Sequence, residues 1–127
     1  MKTILVDAIN AFIIKWEGIF KEMHELLETY PNSKIILTWA DDEQMEKFGL
    51  NNVPYKIFTL RHDPEKTDPE YYKTMLKHFD LDPENVIYFE HDEDSVKSAE
   101  SVGIQTFYYD KDKKDLVELK SFLDNNL

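Results

Sequence analysis

Cysteine is absent from the chain of 127 residues, so neither a disulfide framework nor thiolate chemistry is available, and zinc would have to bind through histidine and carboxylates alone. Long apolar runs are missing as well. No stretch approaches the ~20 residues needed to cross a bilayer, and the apolar opening from Met1 to Ile14 is interrupted by Asp7 and Asn10 and lacks a signal-type cleavage site. A cytoplasmic protein with no membrane partner is therefore expected. Basic residues are outnumbered: 15 Lys and Arg against 26 Asp and Glu give a formal charge of −11, and the lysines are scattered among acids rather than gathered into a stripe. Such a surface repels phosphodiester backbones, which argues against nucleic acid as a partner. The charge is read as a well-solvated exterior.

What is present suffices for one core. With 42% hydrophobic residues, a chain of this length can bury a single interior, and one domain over residues 1–127 is expected. Short β-branched and aromatic runs recur at Thr3 to Val6, Lys34 to Thr38, Tyr55 to Leu60, Val86 to Phe89 and Gln105 to Tyr109. Between them, Trp16, Ile19, Phe20, Met23 and Leu27 repeat at helical spacing, as do Tyr72, Met75, Leu76 and Phe79. Asp68-Pro69-Glu70 supplies an N-cap, a proline preset for the first turn and an acid suited to the helix dipole. Further helices are predicted near Asp41 to Phe48, Asp92 to Val102 and Lys113 to Asp124, with Gly49 and Gly103 as stops.

Strand and helix alternation of this kind favours an α/β fold, a parallel sheet wrapped by helices on both faces with right-handed crossovers. Sites in such sheets lie beyond the carboxyl ends of the strands. The residues to inspect are Asp7, Thr38, Arg61 to Lys66, and Glu90 to Asp94. Asp7 ends the apolar strand Ile4-Leu5-Val6, where an ionised carboxylate is costly unless it has partners at an open strand end. Thr38 ends the second strand, Lys66 precedes the Asp68 helix start, and Glu90-His91-Asp92 ends the fourth.

In this order the four stations resemble the haloacid dehalogenase superfamily, in which a strand-end aspartate, a Thr or Ser, a Lys and an acidic pair follow one another. The resemblance spans nearly the whole chain. Its most specific part runs from Lys66-Thr67-Asp68-Pro69-Glu70-Tyr71 through Leu81-Asp82-Pro83-Glu84-Asn85-Val86 to Ser98-Ala99-Glu100-Ser101-Val102-Gly103-Ile104. It implies a Rossmann-like three-layer domain with a five-stranded parallel sheet in the order 3-2-1-4-5. It also implies that Asp7 is a nucleophile forming a covalent aspartyl intermediate, that Thr38 binds a phosphoryl oxygen, and that Lys66 neutralises charge on Asp7 and the bound group. Asp7, Glu90 and His91 would then hold Mg2+, with Asp92 or Asp94 helping through water. The gaps between stations leave room for one helical layer and no cap domain. An open site is expected to be covered by a large substrate or by subunit packing in a homo-oligomer.

The pattern departs from the family at several points. Ile9 stands where the family's phosphatases carry a general acid and base, and it cannot transfer protons. Glu90-His91 replaces a Gly-Asp or Asp-Asp pair, and magnesium gains little from imidazole. Asn10 occupies the place of a small turn residue, and Trp39, next to Thr38, offers a stacking surface to a ligand or fills a gap between helices. Asn10 and Trp39 are the candidate substrate-binding residues. Two functions follow: a phosphatase-type hydrolase of weak or atypical activity, or a non-catalytic protein binding a phosphate, metal or protein surface. The expected partner is a small phosphorylated molecule or a protein surface. A signalling receiver domain fails on order, because its phosphoacceptor ends the third strand, where this chain has Leu60-Arg61-His62-Asp63.

Overall fold

The computed structural model describes residues 1–127. Strand β1 (Thr3–Asp7) lies at the centre of a five-stranded parallel sheet, between β4 (Lys34–Leu37) and β6 (Val86–Glu90), with β5 (Lys56–Phe58) and β7 (Gln105–Tyr108) at the edges. Counting only these strands, the order is 3-2-1-4-5, as the resemblance implies. A central parallel strand is covered on both faces, which is why Ile4, Leu5 and Val6 form an unbroken apolar run rather than an alternating one.

The pleat divides that run between two cores. Ile4 and Val6 join Ile36, Ile87 and Phe89 against helices α1 (Lys21–Glu28), α2 (Asp42–Lys47) and α5 (Leu116–Asn126). Leu5 joins Leu37, Val86 and Tyr88 against α3 (Pro69–His78) and α4 (Glu93–Ser101). The result is a three-layer α/β arrangement. No further domain is inserted between β1 and β4 or between β5 and α3.

Local chemistry explains most boundaries. Asp68 accepts a hydrogen bond from the Glu70 amide, with Pro69 in the first turn of α3, and Asp41 and Gln44 form a reciprocal capping box on α2. Gly103, at φ +90°, lets the chain leave α4 and turn back into the sheet. Helix α5 begins at Leu116, capped by Asp115, a little later than the predicted Lys113.

One prediction fails. The segment read as a helix from Trp16 to Leu27 begins instead with a hairpin, β2 (Ile13–Ile14) paired antiparallel with β3 (Gly18–Ile19), and only the part from Lys21 onward is helical. Trp16 and Gly18 take φ values of +72° and +101°, which an α-helix cannot contain. Trp16 is consequently exposed at the turn, where its ring faces Phe48 at 5.5 Å and the Lys47 ammonium lies 4.9 Å from its centroid. Met23 and Leu27 keep the core positions expected of them.

Candidate functional site

Two registers set the site. Asp7 pairs with Leu37 on one side, so Thr38 follows one residue beyond, and Val6 pairs with Phe89 on the other, so Glu90 comes up alongside Asp7. Asp7 lies two residues after Leu5 and Glu90 two after Tyr88, on the sheet face that α3 and α4 cover. Lys66 enters from the loop before α3 and is buried between them.

The Lys66 ammonium donates to Asp7 Oδ1 at 2.7 Å and to Glu90 Oε1 at 2.6 Å, with the Leu37 carbonyl at 3.3 Å. Asp7 Oδ2 meets the backbone N–H of His91 at 3.0 Å and its Nδ1 at 2.5 Å. Glu90 Oε1 also accepts from the Tyr88 hydroxyl, and Oε2 accepts from the Asp92 N–H at 3.0 Å and faces His91 Nδ1 at 3.3 Å. Two carboxylates thus oppose one ammonium and one imidazole in a nearly dry pocket. A buried carboxylate survives only with such partners.

Electrostatics follows from the geometry. Burial alone would raise the Asp7 carboxyl, but the Lys66 ammonium and the His91 ring offset it and bring the pKa down to about 2. Burial would lower His91, yet its bonds to Asp7 and Glu90 lift it to about 10. Lys66 is likewise held well above its ordinary value, because the attraction of Asp7 and Glu90 outweighs desolvation. The Tyr88 hydroxyl is pushed up by burial and by Glu90, so it stays a donor.

Asp7, Thr38, Lys66 and His91 border an open cleft of about 180 Å³, together with Ile9, Asn10 and Trp39. Six of the eight residues singled out from the sequence as catalytic, substrate-binding or metal-holding therefore share one cavity. Thr38 is buried, and its Oγ1 accepts from the Ala40 N–H at 3.2 Å. Trp39 is half-buried, stacked on His62 at 6.4 Å and with its ring centroid 5.7 Å from Lys66 Nζ. Asn10 takes φ +70° in the turn after β1. Glu90 sits behind this wall, reached through Lys66 and His91. The Asp92 carboxylate turns the other way, capping α4 through the Ser95 N–H at 3.1 Å and Oγ at 2.7 Å, and it does not join the cluster.

The sequence reading missed Lys15, Gln44 and Phe48, which also line the cleft, and Tyr88, which supports Glu90. Tyr88 was legible in principle, since i and i+2 of a strand share a face. The other three were not, because the hairpin and α2 bring them in from the opposite sheet face.

Asp7, Glu90 and His91 each offer a ligand atom within 4.8 Å of the others. They do not fit an octahedral magnesium ion. Every oxygen of the two carboxylates already accepts from an N–H or O–H, and the third donor is an imidazole nitrogen.

No protein-family model matches the chain, and no curated protein matches its sequence. Solved structures do. A protein from Listeria monocytogenes serotype 4b superposes with a TM-score of 0.75 at 14% identity, covering 98% of each chain. A HAD family enzyme from Bacteroides thetaiotaomicron gives 0.74 at 14%, covering 94% of this chain and 98% of that one, and that enzyme has also been solved with magnesium and inorganic phosphate. A HAD-superfamily hydrolase from Geobacter sulfurreducens gives 0.66 at 12%, covering 94% and 96%. At these identities the likeness establishes the fold: the chain has the haloacid dehalogenase fold over nearly its whole length.

Proposed function

We propose that the cleft beside Asp7 binds a small phosphorylated molecule and hydrolyses it slowly through an aspartyl intermediate. The observation that carries this reading is the 2.7 Å pair of Lys66 with an ionised Asp7 at the wall of an open cleft. An Asp7 oxygen attacks phosphorus and the bond to the leaving oxygen breaks. Water then attacks the acyl phosphate, releasing phosphate and restoring the carboxylate. Lys66 offsets the negative charge of the phosphoryl group, and Thr38 supplies a hydroxyl to it.

Two features make turnover slow. Ile9 has no proton to give, so the leaving group must take one from water. Asp7 Oδ2 must also part from His91 before it can attack. Trp39 and Phe48 give the cleft apolar surface for the non-phosphoryl part of the ligand, and Lys15 adds a cation in an otherwise acidic protein. The open mouth is closed by the substrate itself or by a second copy of the chain.

The same two features favour a second reading, a non-catalytic phosphate-binding protein. Hydrolysis of a generic aryl phosphate and a panel of phosphorylated metabolites by wild type and Asp7→Asn separates them. Turnover that the substitution abolishes is the expected result. Activity persisting in Asp7→Asn overturns the aspartyl mechanism, whereas no turnover combined with a saturable melting shift on adding inorganic phosphate selects the second reading.

A further inference from the structure

The arrangement around His91 carries an inference about how the carboxylates are neutralised. Two carboxylates brought side by side at strand ends repel one another and need a cation between them. One side of the pair is closed by Lys66, which bridges Asp7 Oδ1 and Glu90 Oε1. The other side presents Asp7 Oδ2 and Glu90 Oε2, and the atom facing both is His91 Nδ1, at 2.5 and 3.3 Å.

We propose that the His91 ring stands in the place of a bridging divalent cation, so that this site is built to work without a metal ion. A metal entering between Oδ2 and Oε2 must displace the ring, whose Nδ1 fills the gap, and must share each oxygen with a backbone N–H, that of His91 on Oδ2 and that of Asp92 on Oε2. Lys66 blocks the opposite approach, since moving it uncovers both carboxylates at once. The ring has a further property that a bare structural histidine lacks: Nδ1 is committed to the carboxylates, while Nε2 has no partner within the protein and is not sealed from solvent. As His91 borders the cleft, Nε2 is left to donate to a bound anion, a role in which a metal would otherwise serve.

The phosphoryl ligand in this picture rests on the function proposed above, but the exclusion of metal does not. The test therefore reads melting temperature rather than turnover. The full chain, stripped with chelator, is titrated with magnesium chloride into the millimolar range as wild type, His91→Asp and His91→Asn. Wild type should show no saturable shift. His91→Asp, which exchanges the imidazole for oxygen ligands, should be less stable without metal and gain several degrees on magnesium binding, with His91→Asn gaining less.

A saturable shift of wild type with magnesium, or with zinc, whose preferences suit imidazole, that His91→Ala removes would overturn the proposal. So would a failure of both substituted proteins to respond, because the ring would then not be what keeps the ion out. Absence of any phosphatase activity leaves this result untouched and counts only against the hydrolase.

Discussion

Lys66 Nζ lies 2.7 Å from Asp7 Oδ1 across 59 positions of chain, with both side chains almost wholly withdrawn from solvent. The same ammonium lies 2.6 Å from Glu90, so a single cation serves two buried carboxylates. Removing one member of such a group leaves uncompensated charge in a poorly polar interior. Lys66→Met is accordingly expected to lower unfolding stability by about 3–5 kcal/mol, read from urea midpoints at unchanged slope. A loss under about 1 kcal/mol would be the behaviour of a screened surface pair, and would mean that water reaches the cluster freely.

The pH dependence of stability should report on His91. Its folded pKa, about 10, lies above the ordinary value of ~6.5, so its contribution is complete below that ordinary value and disappears as pH rises through the folded one. Melting temperature should fall between about pH 7 and pH 9, below the onset of tyrosine ionisation, and the fall should flatten in His91→Gln. Asp7 works in the opposite direction. Held at about 2, it stabilises the fold above its unfolded value of ~3.9 and ceases to do so as acid takes the pH toward 2. Identical slopes for wild type and His91→Gln on the alkaline side would show that the ring gains nothing from its two carboxylates.

Much of this site was legible because strand ends are legible. Asp7, Thr38 and Glu90 each follow an apolar run, and the Asp68-Pro69-Glu70 cap placed Lys66 just ahead of a helix. What could not be read was which groups would share a proton or an ion. His91 stood out only as a departure from an acidic pair, and its aim at both Asp7 and Glu90 depends on the β1–β6 register. The hairpin is hidden in the sequence for a different reason. Strands of two residues are too short to show alternation, while Trp16, Ile19, Phe20, Met23 and Leu27 fall by chance on a helical repeat. The turn that ends this pattern rests on backbone angles at Trp16 and Gly18, where only the glycine signals it. Asp92 shows the opposite case. The carboxylate that looked like a candidate ligand is also an ideal N-cap, and the cap is where the structure uses it.

Tyr71 offers a test of how Thr38 is held. Its buried hydroxyl donates to the Thr38 carbonyl at 2.7 Å and to the Phe58 carbonyl at 3.1 Å, joining the carboxyl ends of β4 and β5 from α3. Tyr71→Phe keeps the ring packing and removes only those bonds. The Phe58 carbonyl retains the Thr38 N–H as a donor, so the loss should be modest, about 1–2 kcal/mol by denaturant unfolding. Phosphate binding should weaken as well if Thr38 contacts the ligand. A variant with reduced stability but unaltered affinity would separate Thr38 from the binding surface.

Ile9 is the position where chemistry can be added rather than removed. It is half-buried, packed against the core on one side and bordering the cleft on the other, two residues after Asp7. Ile9→Asp puts a carboxyl at that border, where nearby Asp7 and partial burial both favour its protonated form, as a general acid requires. Loss of apolar packing should cost about 1 kcal/mol, small enough for the protein to stay folded. If the missing acid limits the wild type, aryl phosphate turnover should rise at least about 10²-fold, the low end of what acid catalysis contributes. The gain should vanish when Asp7→Asn is added. A folded Ile9→Asp protein with unchanged turnover would place the obstacle at Asp7 itself, its two oxygens locked to Lys66 and His91, and would favour a cleft that binds its ligand without cleaving it.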